Sequence, residues 1–296
     1  MKYIYTIFIL TGLLIYSISA NSQAYYESIY SDLQDDKYYQ KINELINNNN
    51  YDSLFISADN AFNYYIEQDE TDKAIYLFAI SVYITAKNGL AQTTIPIIDN
   101  KIDFLQNNID TINVHYATLL MIKAFGLTRM MELYRAKPIF DNSIEILLET
   151  NTPEIHLSSV YQKAGFLNVY LYENETGYFY TEKALEYLKK DNPENPSDEY
   201  IKQKSFDEGY IYLTFAALMK QTQQIELAFE YYKKSLHIFT NVAESKENTI
   251  VVLNNMSNSC LDMHKYDQAL YYSNKADSLI NHYNFTEKLI LTYNSI

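Results

Sequence analysis

Side chains capable of chemistry are plentiful in this sequence, but not in the patterns that chemistry requires. The five histidines, His115, His156, His237, His264 and His282, are scattered, and none forms the HxH or HExxH pair that would present two imidazoles to one metal. The acid pairs Asp35–Asp36 and Asp69–Glu70 sit among polar residues, where they read as solvated turns or as charge favourable to a helix start. There is no glycine-rich phosphate loop and no GxSxG elbow. Cys260 is the single cysteine, so no intrachain disulfide can form. It falls on an apolar helical face and is expected to be a buried structural thiol. The chain therefore reads as non-catalytic, with no cofactor and no metal. The enzymatic alternative is a helical hydrolase whose acids converge from distant segments.

What does recur is a spacing of small and aromatic residues. The phrases AIYLFAIS (74–81), AKPIFDNS (136–143), GYFYTEKA (177–184), AFEYYKKS (228–235) and ALYYSNKA (269–276) each begin and end on a small residue. Ala74, Ala136, Gly177, Ala228 and Ala269 open them, and Ser81, Ser143, Ala184, Ser235 and Ala276 close them. In three of the phrases an aromatic stands four residues after the first small residue: Phe78, Phe140 and Tyr232. The third phrase has Thr181 there beside Tyr180, and the fifth Ser273 beside Tyr272. Seven residues are close to two turns at about 3.6 residues per turn, so both small residues share one face of a helix. A neighbouring helix can then approach closely there, with aromatics filling the space between the contacts.

Each phrase follows another helical run: ATLLMIKAFGLTRMM, SSVYQKAGFLNVYLY, YIYLTFAALMKQ and TIVVLNNMSNSCLDMHK precede the last four. Only five prolines and six glycines punctuate the 296 residues, too few for a β-sandwich or a Rossmann-like chain. The expected fold is all-α, an α-solenoid of antiparallel helix pairs.

The pattern resembles the tetratricopeptide repeat (TPR) family, with large residues at repeat positions 4, 7 and 11, a small one at 8, and small–aromatic–small at 20, 24 and 27. Tyr212, Phe215, Ala216, Met219, Ala228, Tyr232 and Ser235 fit it in one repeat. Tyr161, Ala164, Gly165, Asn168, Gly177, Thr181 and Ala184 fit it in the one before, and Leu253, Met256, Ser257, Cys260, Ala269, Ser273 and Ala276 in the last. The resemblance implies a right-handed superhelix, with Ala74, Ala136, Gly177, Ala184, Ala228, Tyr232, Ala269 and Ala276 as structural anchors. The proline of position 32 is missing throughout. The anchors are 41 residues apart from Ala136 to Gly177 and from Ala228 to Ala269, 51 from Gly177 to Ala228, and 62 from Ala74 to Ala136. The 51-residue step contains KKDNPENPSDEY, a protruding loop, and the 62-residue step is expected to hold an extra helix near 90–107. The repeat domain is expected over 25–281, with 282–296 beginning a further helix that is either a cap or a truncated repeat.

The family also implies where a partner would lie. First helices of successive pairs line the inner surface, and their positions 5, 9, 12 and 13 give Met121, Phe125 and Arg129; Gln162, Phe166 and Tyr170; Leu213, Lys220 and Gln221; Asn254, Asn258 and Asp262. From these, Arg129, Gln162, Phe166, Tyr170, Lys220, Asn254 and Asn258 are the candidate partner-binding residues. Amides can pair with a peptide backbone and aromatics can cover its side chains, so an extended peptide or protein is the expected partner. The lysine–asparagine clamp for a terminal carboxylate found in some members is not reproduced, since position 5 carries no lysine.

Net charge of −14 argues against nucleic acid and anionic membrane surfaces as partners. The first residues, MKYIYTIFILTGLLIYSISA, combine Lys2, an apolar run and a small-residue boundary, the pattern of a secretory signal peptide over 1–20, with cleavage possible as late as Ala24. The expectation is an exported, non-catalytic scaffold of the periplasm or cell envelope. The alternative is the extracytoplasmic sensory region of a membrane-bound signalling or transcription regulator, truncated here.

Overall fold

The computed structural model describes residues 35–283, apart from 49, 86–90, 109–113, 151, 153, 193–195 and 197; the expected signal peptide and most of 282–296 lie outside the described residues. Among the described residues there are twelve α-helices and no strand. They are α1 (Lys37–Asn47), α2 (Tyr51–Glu67), α3 (Thr71–Thr85), α4 (Ala91–Asn108), α5 (Val114–Arg129), α6 (Leu133–Glu149), α7 (Glu154–Leu171), α8 (Asn174–Lys190), α9 (Asp198–Gln221), α10 (Ile225–Asn241), α11 (Lys246–Asp262) and α12 (Tyr266–Tyr283). Five hairpins, α2/α3, α5/α6, α7/α8, α9/α10 and α11/α12, stack in chain order. Second helices pack on the next first helix, and the first helices α5, α7 and α9 also touch one another.

One turn builds every hairpin. Asp69, Met131, Tyr172, Gln223 and His264 all have φ between 58° and 62°, and each stands five residues before an anchor. The residue after each donates its N–H five residues back, as Glu132 N–H does to the Leu127 carbonyl at 2.9 Å and Gln224 to Met219 at 2.8 Å. The left-handed residue itself bonds three residues back, as Met131 does to Thr128 at 3.0 Å. This is a Schellman closure, which satisfies the last carbonyls of the first helix and turns the chain sharply. The same residue that closes it starts the second helix, because its carbonyl accepts the anchor's N–H: Glu132 from Ala136, Glu173 from Gly177, Gln224 from Ala228. The anchor is thereby held on the side that faces the first helix.

Across that contact the small residues come in pairs twelve apart: Ala124 with Ala136, Gly165 with Gly177, Ala216 with Ala228, and Ser257 with Ala269. A Cβ added to Gly165 would lie 2.6 Å from Thr181 Oγ1 and 3.4 Å from the Gly177 carbonyl, so a larger residue there would force its neighbours to shift. Ser257 uses the same proximity to donate to the Ala269 carbonyl at 2.8 Å. The first hairpin differs: Phe62 takes the small residue's place and packs edge-to-face on Phe78, centroids 5.6 Å apart. A second lock sits at the far end of the hairpins. Ser143 donates to the Ala117 carbonyl, Ser235 to Gly209 and, in the opposite sense, Ser158 to Ala184, at 2.8, 2.8 and 2.9 Å.

The 62-residue step does contain one added helix, α4. It packs on α5 and reaches α2, where Lys101 Nζ lies 2.6 Å from Asp59 and Phe104 meets Phe62 edge-to-face. It therefore lies in the row of first helices. Helix α3 reaches past it to α5, with Tyr83 stacked on Phe125 at 5.3 Å. First helices are covered from several sides, which is why α7 reads apolar or small nearly all round and buries residues on every face.

Two stability changes follow. Ala228→Leu adds methylenes at a fully buried position and should destabilise by about 1–3 kcal/mol in urea unfolding. Gln223→Gly should stabilise by about 0.5–1 kcal/mol, since the left-handed turn costs an L-residue roughly 1–2 kcal/mol and glycine's greater unfolded freedom returns about half of that.

Candidate functional site

The row of first helices carries the candidate partner-binding residues, and their environments differ sharply. Position 5 is closed in the inner repeats: Met121, Gln162 and Leu213 are 4%, 8% and 2% exposed. The next first helix packs over it, as shown by Ser159 of α7, whose hydroxyl meets Met121 Sδ at 4.0 Å. Gln162 is thus a buried residue, not an open groove position. Phe125, also read from the sequence as an inner-surface position, is half-buried against Tyr83. Positions 9 and 13 remain partly open. Phe166 and Tyr170 are half-buried and pack edge-to-face on each other, centroids 5.1 Å apart. Arg129, the last residue of α5, is also half-buried. Asn258 is exposed and Asn254 partly so, because no further first helix packs on α11 among the described residues.

Lys220 is not a free cation. Its ammonium lies 3.2 Å from Asp262 of α11, so the two side chains tie α9 to the next first helix. Gln221 beside it donates to the Val169 carbonyl of α7 at 2.8 Å. This cross-helix bonding was not legible in the sequence, since neither Lys220 nor Asp262 recurs at its position in the other repeats. The anchors lie elsewhere, between the layers: Ala74, Ala136, Ala184, Ala228 and Ala276 are 0% exposed, Tyr232 1% and Ala269 3%. Gly177 is buried against Leu218 and Asn168.

Burial governs the titratable groups. It lowers the Lys163 ammonium, against the opposing field of Asp207 on α9. It raises the Cys260 thiol, a fully buried group facing Gln268, which keeps the sulfur protonated and structural. Asp191, which ends α8, is pushed up to about 6, by burial first and further by Glu154 of α7, with Lys204 of α9 opposing at 3.8 Å. The histidines stay apart: His156 is buried in α7, while His237, His264 and His282 are exposed on or beside other helices. Among the described residues no three His, Cys, Asp or Glu side chains converge as a metal site would require.

Stacked hairpins, a left-handed turn closing each, and small residues between paired helices define the class: this is a TPR-like helical-repeat protein, an α-solenoid. No protein-family model and no curated sequence matches the chain. Solved structures do. BtubC (BKLC) from P. vanneervenii superposes with a TM-score of 0.60 at 13% identity, over 80% of this chain and 93% of that one. Two crystal structures of nearly identical TPR-like repeats from Podosopora anserina give TM-scores of 0.49 and 0.48 at 10% identity, over 68% of this chain and 92% of theirs. At such identity the likeness is one of fold.

Asp191 yields a pH test. Its folded pKa lies above the unfolded carboxylate value of about 3.9, so its charge disfavours the fold above pH 6, and that cost fades as pH falls toward 4. Asp191→Asn should therefore raise the melting temperature at pH 7, and the gain over wild type should shrink steadily between pH 7 and pH 4.

Proposed function

We propose that this protein is an exported, non-catalytic scaffold that holds an extended peptide segment of a partner along the first helices α7, α9 and α11. The observation that carries the reading is the Phe166–Tyr170 pair. It is two aromatics left half-open at positions 9 and 13 of a first helix most of whose other apolar residues are buried. Rings held rigidly by each other offer contact area at little entropic cost, which suits recognition of side chains on a strand-like peptide. Asn254 and Asn258 continue the row on α11 with amides able to pair with a peptide backbone. Export rests on the sequence of residues 1–24, whose charge, apolar run and small-residue boundary fit a signal peptide. Among the described residues no helix is long and apolar enough to cross a membrane.

The test places a photo-reactive phenylalanine analogue at position 170 or 258 and, as a control, at 134, an exposed tyrosine on a second helix. Crosslinking to envelope proteins from 170 and 258 but not from 134 is expected. Equal products from all three positions would reject the inner row as the binding surface. Amino-terminal sequencing of the protein from the envelope fraction should begin after Ala20 or Ala24.

A further inference from the structure

The first two helices hold an ammonium group between two aromatic rings. Lys37 opens α1, and its Nζ lies 4.7 Å from the ring centroids of both Tyr38 on α1 and Tyr64 on α2. The two rings are 5.3 Å apart and tilted by 45°, so they open as a wedge toward the cation. Tyr65 closes the back. It is buried and packs edge-on against Tyr64 at 5.2 Å and Tyr38 at 6.0 Å. Asp36 fixes this arrangement: one carboxylate oxygen accepts the N–H groups of Tyr38 and Tyr39 at 2.8 and 2.9 Å, and the other accepts the Tyr65 hydroxyl.

Lys37 makes no ion pair and no hydrogen bond among the described residues, although Asp35 and Asp36 directly precede it. Its ammonium is held by ring faces alone. A cation held in that way needs no N–H, so the position suits a quaternary ammonium, which has none to donate. Lys37 is exposed and flexible at its end, and so stands as a tethered occupant that a ligand can displace at little cost. Lys234 likewise lies beside two rings, Tyr212 and Tyr231, but at 5.2 Å from each, and those rings stack nearly parallel, 24° apart. Charge around the wedge selects among quaternary ligands. Asp36 and Glu70 both act on Tyr65, and Lys73, 5.8 Å from that ring, is already paired with Glu70 at 2.5 Å. A cation is therefore attracted, while a phosphate or carboxylate on the same ligand is repelled.

We propose that Tyr38, Tyr64 and Tyr65 form a binding site for a small quaternary ammonium compound without an anionic group, choline being a simple example, with Lys37 as its internal placeholder. The site lies on α1 and α2, away from α7, α9 and α11, and does not depend on peptide binding there.

The experiment reads saturation transfer by NMR from the full chain to the N-methyl protons of choline, beside the uncharged analogue in which carbon replaces the nitrogen. Choline should give a saturable signal and the uncharged analogue little, since ring faces attract the charge. Lys37→Gln should bind choline about fivefold more tightly, because the resident ammonium no longer competes. Tyr64→Leu should abolish the signal, and Tyr64→Phe, which keeps the ring, should retain most of it. Tyr64 is 38% exposed, so both variants should melt close to wild type. Phosphocholine and glycine betaine, which carry the same cation beside an anion, should bind more weakly than choline. Equal signals from choline and its uncharged analogue would overturn the site, as would choline binding unchanged in Tyr64→Leu or in Lys37→Gln. Absence of binding to both wild type and Lys37→Gln would overturn it too. Tighter binding of phosphocholine than of choline would overturn the ligand class.

Discussion

The whole array depends on how closely two helices can approach within a pair. That distance is set where Gly165 meets Gly177 and Ser257 meets Ala269, with the buried Ala124/Ala136 and Ala216/Ala228 in the same register. The turn five residues before each anchor decides which side of the second helix faces the first. Because the turn is the same five times, the small residue always lands in the same place. Once it does, Phe78, Phe140 and Tyr232, one turn later, fall into the space between helices and are buried almost completely. Dispersion and apolar burial then act over the full length of each hairpin.

This constraint explains the division of labour between helices. A first helix is packed by its own second helix, by the preceding pair and by the following first helix. Little of it can be polar, and what polar surface it keeps must be satisfied across the row. Lysine–aspartate pairs and the Gln221–Val169 bond meet that need, and they add to the registry of neighbouring repeats. Their carboxylates remain open to solvent, so each pair contributes little to stability. Their larger effect is to tie each first helix to the next, so that neighbouring repeats keep one register.

Irregular steps are absorbed without breaking the stack. The 62-residue step places α4 in the row of first helices, leaving α3 in contact with α5 past it. The 51-residue step carries the segment between α8 and α9, and there Asp191, Glu154 and Lys204 from three helices meet at a partly buried site. Stacked repeats contact only their neighbours, so such additions remain local.

The helical repeat was legible in the amino-acid order alone, because small and aromatic residues recur at helical spacing and only close helix contact calls for that pattern. The length of the irregular step also located the added helix near 90–107, which the structure sets at Ala91–Asn108. The turn was not legible. The residues with positive φ in the five hairpin turns are Asp, Met, Tyr, Gln and His, none of them the glycine that signals such a closure, and the geometry is imposed by the two helices it joins. The groove was only partly legible. Repeat position identifies the face of a first helix, but whether Gln162 is open or Lys220 is free depends on the neighbouring helix, 40 or so residues away in the chain. Tertiary packing closed position 5 in the inner repeats and paired Lys220 with Asp262, since burial and charge pairing are properties of the space between repeats and not of any one of them.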